Sequence, residues 1–215
     1  MSEEPGEFAS PADIRAVLID VDGVLRVWES GQVASIEQRY GVPPGMLTEI
    51  AYERERFGPA LLGEITDDDW RASVAAALVP VCGDVTNAIA CVVDWSARLG
   101  LIDPDVLDII EELRAQGRSV GLIANATDRL QQDLASLRVQ DQVDAVIDSA
   151  HCGVAKPDAG IFETAAEILA VQPEQCLYVG ARPEHVAGAE RTGMMGHLYT
   201  GVPGLRDMLA ALAAD

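Results

Sequence analysis

One apolar run of strand length near the start of the chain is separated from all later ones by a long stretch with no strand pattern. Ala16-Val17-Leu18-Ile19 is continuous, apolar and ends on Asp20, which is the pattern of a strand buried on both faces. The next comparable run is Val120-Gly121-Leu122-Ile123-Ala124, followed by Ala145-Val146-Ile147, Leu177-Tyr178-Val179 and His197-Leu198-Tyr199. Helical periodicities separate these later runs. Asp103 can cap a helix with Pro104 at its first position, Val106, Leu107, Ile110 and Leu113 on its apolar side, and Gly117 beyond its end. Leu130, Leu134 and Leu137 line a second helix, Ile161, Ala165, Ile168 and Leu169 a third, and Leu205, Met208, Leu209 and Leu212 the last. Strands alternating with helices predict an α/β fold: a doubly wound parallel sheet covered on both faces.

The stretch from 28 to 98 breaks that alternation. Its periodicities give helices over 31–40, 43–57, 66–79 and 84–98. Thr66 with Asp69 three residues on is a capping-box signature, followed by Trp70, Val74 and Leu78 at helical spacing. A helical insert of roughly 70 residues directly after the first strand reads as a small all-helical cap over the strand ends. The expected division is a core of residues 1–27 and 99–215 and a cap of residues 28–98. The start of the chain, "MSEEPGEFASPAD", reads over its first dozen residues as a frayed acidic tail, without the basic and apolar segments of a signal peptide.

Charge narrows the possible partners. Lys and Arg number 15 against 35 Asp and Glu, a net charge of −20. A chain this acidic repels nucleic acid phosphates and anionic lipid surfaces. To hold an anionic ligand it must concentrate positive charge locally. Cys82, Cys91, Cys152 and Cys176 form no C-x-x-C pair, so they read as scattered reduced thiols of a cytoplasmic protein. His151, His185 and His197 are not spaced as a metal cluster. No apolar run reaches the roughly 18 residues of a membrane span.

Open parallel sheets bind ligands at the carboxyl ends of their strands. "VLIDVDGVL" puts Asp20 and Asp22 two residues apart at such an end, with Gly23 freeing the backbone to turn. Two acids this close suit divided labour, one attacking and one moving protons. The motif alone is about equally an Asp-rich turn in solvent. In "CGVAKPDAGIF", Lys156 precedes a helix opened by Pro157 and Asp158. It can reach back over the strand ends as a point charge, although taken alone it could be a surface lysine.

The order of these pieces is distinctive. "LIDVDGVL", "VGLIANATD", "GVAKPDAGIF" and "LYVGARPEHVAGAERTGM" resemble the four ordered motifs of the haloacid dehalogenase-like (HAD) hydrolase superfamily. The match covers residues 15 to 215, and the insert falls where that family's helical cap falls. The resemblance implies a Rossmann-like core and a phosphoaspartyl intermediate. It implies Asp20 as nucleophile, Asp22 as general acid/base, and Lys156 as the cation steadying nucleophile and phosphoryl group. It also implies a Mg²⁺ ion held by the Asp20 carboxylate and the Asp22 backbone carbonyl. The substrate would be a small phosphorylated or other anionic metabolite; the Asn125 backbone N–H could donate to it, and Arg182 either holds its phosphate or points to solvent.

The chain departs from that pattern at two places. Ala124 stands where the second motif usually ends in Ser or Thr. Gly180, Ala181 and His185 stand where the fourth motif usually supplies metal-binding acids. Glu184 is the nearest replacement, and Thr127 could replace the lost hydroxyl or cap the next helix. Phosphate-monoester hydrolysis, weakened by these losses, is the leading expectation. A silent family member kept for binding or regulation is the alternative. A metal-independent 2-haloacid dehalogenase would also excuse the lost acids, but Asp22 argues against it.

Overall fold

A computed structural model describes residues 14–214 of the chain, so the expected tail lies outside the described residues. Strand β1 (Ala16–Asp20) leads through a tight turn into the short β2 (Arg26–Val27). The cap follows as α1 (Gln32–Tyr40), α2 (Met46–Ala51), α3 (Arg54–Leu61), α4 (Asp67–Cys82) and α5 (Val85–Ser96). Strand β3 (Leu101–Ile102) returns antiparallel to β2, pairing Arg26 with Ile102 and Val27 with Leu101. The core then continues with α6 (Pro104–Ala115), β4 (Ser119–Ala124), α7 (Leu130–Ser136), β5 (Ala145–Asp148), α8 (Ser149–Cys152) and α9 (Ala159–Ile168). It closes with β6 (Cys176–Gly180), α10 (Pro183–Glu190), β7 (Met195–Leu198) and α11 (Val202–Ala214).

The main sheet has the order β5-β4-β1-β6-β7, and every pairing in it is parallel. All five residues of β1 are buried, because helices cover both faces of this central strand. Val17 and Ile19 join one core with Ile109 of α6, Leu134 of α7 and Leu205 of α11. Leu18 faces the other way, joining Tyr178 with Phe162 of α9 and Val186 of α10. This two-residue alternation follows from the strand pleat. From β1 the chain next adds β4 on one side, and later β6 on the other. The end of β1 is therefore the topological switch point, where a cleft opens in an open α/β sheet.

The cap has its own core, including Ile36, Leu47, Trp70, Val74, Leu78 and Val92. The single helix expected over 43–57 is instead α2 and α3, interrupted at Tyr52 and Glu53. The buried Glu37 carboxylate accepts from the backbone N–H groups of Gly45 (2.9 Å) and Leu47 (3.0 Å), fixing where α2 begins. Helix α4 has the expected capping box, with Thr66 accepting from the Asp69 N–H. It runs beyond the expected end at 79 despite Pro80, with Leu78 and Cys82 buried along its last turns. The β2–β3 ladder was not foreseen, since two-residue strands leave no periodicity to read. It ties together the two chain crossings between core and cap. Thr127 does not cap the next helix: its hydroxyl donates to Asp67 Oδ1 of α4 at 2.7 Å. The Asp67 N–H donates to Asp128 Oδ1 at 2.9 Å, so these bonds latch the cap onto the loop after β4. Among the described residues no helix is long and apolar enough to cross a membrane.

Candidate active site at the end of β1

Asp20 is the last residue of β1 and only 3% exposed. A carboxylate buried this deeply must find donors, and it does. Oδ1 accepts from Lys156 Nζ and from the Tyr178 hydroxyl at 2.8 Å. Oδ2 has looser company, the Ala181 N–H at 3.4 Å and His185 Nδ1 at 3.9 Å. Burial pushes the Asp20 pKa up, but the nearby His185 ring, the charge and bond of Lys156 and the Tyr178 bond together outweigh it. The carboxyl is held below its ordinary value, ready as an anion.

Lys156 reaches Asp20 because its loop is pinned from several sides. The Lys156 N–H donates to Asn125 Oδ1 at 2.7 Å, and Asn125 Nδ2 donates back to the Lys156 carbonyl at 2.8 Å. Arg191 donates to the Pro157 carbonyl at 3.0 Å. Helix α10 approaches so closely that a Cβ on Gly188 would sit 2.7 Å from that carbonyl oxygen. The Lys156 pKa is lowered by burial, against the opposing pull of Asp20. The Asn125 side-chain amide is thus spent on positioning Lys156.

Asp22 stands apart from Asp20. Its carboxylate accepts from Arg26 Nε (2.8 Å) and NH2 (3.0 Å) and from Trp28 Nε1 (2.8 Å). The Asp22 side chain is 43% exposed, whereas Arg26 is buried. The Arg26 guanidinium also lies 4.9 Å from the Trp28 ring centre, a cation–π contact. The turn after the two acids needs Gly23, whose φ is 86° and whose added Cβ would lie 2.9 Å from the Ala181 Cβ. Tyr52 packs with Phe57, Trp70 and Trp95 in the cap, and desolvation and the charge of Asp22 raise its phenol pKa.

The loop after β6 offers a metal very little. Gly180 and Ala181 have no carboxylate. Glu184 is exposed and lies 3.8 Å from the exposed Arg182, so that pair stands at the rim. Both Asp20 oxygens already face donors, and the Asp22 carboxylate is engaged by Arg26 and Trp28. Among the described residues no group of three His, Cys, Asp or Glu side chains could hold a metal. Mg²⁺ requires near-octahedral oxygen coordination, usually with one or two free carboxylates. The side chains present do not fit that ion.

Tyr178 and Arg26 belong to this site although no motif points to them, and His185 lies beside Asp20. A signal for Tyr178 was present. A Cβ on Gly180 would fall 2.5 Å from the Tyr178 hydroxyl. A glycine two residues after an aromatic on one strand face leaves room for the ring to lie along the strand toward its end.

The chain thus combines a doubly wound parallel sheet, a helical insert after its first strand and a buried carboxylate–lysine pair at the switch point. The chain matches the haloacid dehalogenase-like hydrolase family over residues 14–193 and belongs to it. It is 33% identical over 197 residues to Phosphatase MT3486 of Mycobacterium tuberculosis, covering 86% of this chain and 87% of that protein. Over 94 residues it is 35% identical to the glyceraldehyde 3-phosphate phosphatase of Methanopyrus kandleri, covering 43% of this chain and 40% of the relative. Solved structures share the fold at lower identity. A HAD family enzyme from Bacteroides thetaiotaomicron, in complex with magnesium and inorganic phosphate, superposes with TM-score 0.68 at 19% identity, covering 86% and 93% of the two chains. A dehalogenase in an intermediate complex gives 0.70 at 19%, covering 92% and 98%.

Proposed function

We propose that this protein hydrolyses small phosphate monoesters through a phosphoaspartyl intermediate on Asp20. The observation that carries the reading is the buried Asp20–Lys156 pair at the switch point, together with Asp22 two residues on. A phosphatase as a 33%-identical relative over most of the chain supports it. An anion attacking an anion needs positive charge between the two. In so acidic a chain, buried Lys156 and Arg26 provide that local charge.

In the first step an Asp20 oxygen attacks phosphorus, and the bond from phosphorus to the ester oxygen breaks. Asp22, released from Arg26 and Trp28 in its protonated form, gives the leaving alkoxide a proton. In the second step Asp22 takes a proton from water, whose oxygen attacks phosphorus. The phosphorus–Asp20 bond breaks, leaving inorganic phosphate and restoring the carboxylate. Ala124 contributes no hydroxyl to this chemistry, which sets a low ceiling on the rate. The substrate is a small phosphorylated metabolite entering beneath Trp28 and Tyr52. Phosphate release from a panel of sugar, acyl and aryl phosphates tests the reading. Turnover abolished in Asp20→Asn supports it, and no release from any ester counts against it.

The engagement of Asp22 with Arg26 and Trp28 favours a second reading, a silent family member that binds phosphorylated ligands. That reading requires saturable ligand binding without turnover.

A further inference from the structure

We infer that this chain's own donors replace a divalent cation beside Asp20: Tyr178 fixes Oδ1, and His185 meets the phosphoryl oxygen arriving next to Oδ2. The inference rests on the phosphomonoester reading and goes further, to how the site handles charge without a metal.

Two independent features carry it. The first is the interlock of Tyr178 and Gly180. The Tyr178 ring packs edge-on against Phe162 with ring centres 5.1 Å apart. Its hydroxyl fills the space beside Gly180 and ends 2.8 Å from Asp20 Oδ1. With Lys156 on the same oxygen, the donors on Oδ1 set the carboxylate plane and leave Oδ2 with lone pairs to attack. Tyr178 is therefore a positioning residue.

The second feature is His185. It lies in the first turn of α10 and is 8% exposed. Its Nδ1 has no hydrogen-bond partner and lies 3.9 Å from Oδ2. A buried polar nitrogen without a partner is costly, so such groups call for an explanation, often a ligand. At 3.9 Å it is too far for a hydrogen bond, yet close to any oxygen bonded to a phosphorus at Oδ2. With its proton on Nδ1, the ring donates to that phosphoryl oxygen, and the Ala181 N–H beside Oδ2 supplies a second donor. His185 occupies a position where this family usually places a metal-binding acid. The substitution exchanges an anion that holds a cation for a group that meets the substrate anion directly.

The test uses the full chain and p-nitrophenyl phosphate. Wild-type turnover is expected to be the same in EDTA and in millimolar Mg²⁺, and Mg²⁺ is expected to leave the melting temperature unchanged. His185→Leu should lower kcat at least tenfold in both conditions. His185→Asn, which keeps an N–H near the position of Nδ1, should recover most of the loss. Tyr178→Phe should lower kcat with KM nearly constant. Turnover that disappears in EDTA and returns with Mg²⁺ overturns the inference and leaves the phosphatase reading standing. If no ester is turned over in either condition, calorimetry with inorganic phosphate in EDTA decides. Binding at least tenfold weaker in His185→Leu, with circular dichroism showing it folded, supports the His185 site. Equal binding, or no binding by wild type, overturns it.

Discussion

The loops after β1 and β6 meet at Asp20, and they have diverged in opposite ways. The β1 loop keeps both acids of its motif. The β6 loop has Gly180, Ala181 and His185 where acids usually stand. The difference reflects what each loop supplies. In the proposed reaction Asp20 forms the covalent bond, and no donor beside it can take over that step. Positive charge and hydrogen-bond donors beside it can come from a metal or from protein, and here protein donors already surround the carboxylate.

The strongest way to break this contrast is to remove the irreplaceable side. Asp20→Asn should lower phosphate release by at least about 10³-fold, as loss of a nucleophile does elsewhere. It also leaves Lys156 buried without its counter-charge, so denaturant unfolding should show a loss of about 3–5 kcal/mol. Retained activity would mean that Asp20 is not the nucleophile.

Lys156→Met tests the charge on Oδ1. Its kcat should fall about 10²- to 10³-fold, the usual effect of deleting one electrostatic stabiliser. A loss confined to KM would show that Lys156 only binds substrate.

The interlock in the β6 loop should show in stability. Gly180→Ala places a methyl against the Tyr178 ring and should cost about 1–3 kcal/mol in urea unfolding. An unchanged midpoint would show that the ring moves freely and does not fix Asp20.

The pH dependence separates Asp20 from an ordinary aspartate. Its folded pKa lies below the unfolded value of about 3.9, because Lys156, Tyr178 and His185 favour the ionised form. Its stabilising contribution is therefore fully present above about pH 4 and is lost as pH falls through the lowered folded value. The acid limb of kcat/KM assigned to Asp20 should lie below that pH, and a limb above it would contradict the environment described. The mildest expected effect is at the cap. Thr127→Val removes the bond to Asp67 and should raise KM several-fold with little change in kcat, given roughly 1.5–3 kcal/mol for a bond to a charged group. A fall in kcat alone would argue against the latch.

The strand runs, the capped helix at Asp103 and the interruption after β1 were legible because burial on both faces, capping and helical period leave local traces. Asp20, Asp22 and Lys156 were legible because their motifs run in a recognisable order. Arg26 was not, since an ion pair four residues apart in a turn looks like any surface charge. The start of α2 was hidden because it depends on Glu37, in another helix, capturing the N–H groups of Gly45 and Leu47.

By itself the sequence determined the doubly wound core, the inserted cap and the acids at the end of β1, all written in short-range pattern. Only the tertiary structure decided which donors surround Asp20 and where the Asp22 carboxylate turns. Lys156, Tyr178 and His185 lie more than a hundred residues from Asp20 along the chain. They meet it only because parallel strands β1 and β6 lie side by side and α10 packs against the Lys156 loop. Contacts made through a sheet register depend on which strands become neighbours, and no local stretch of sequence encodes that.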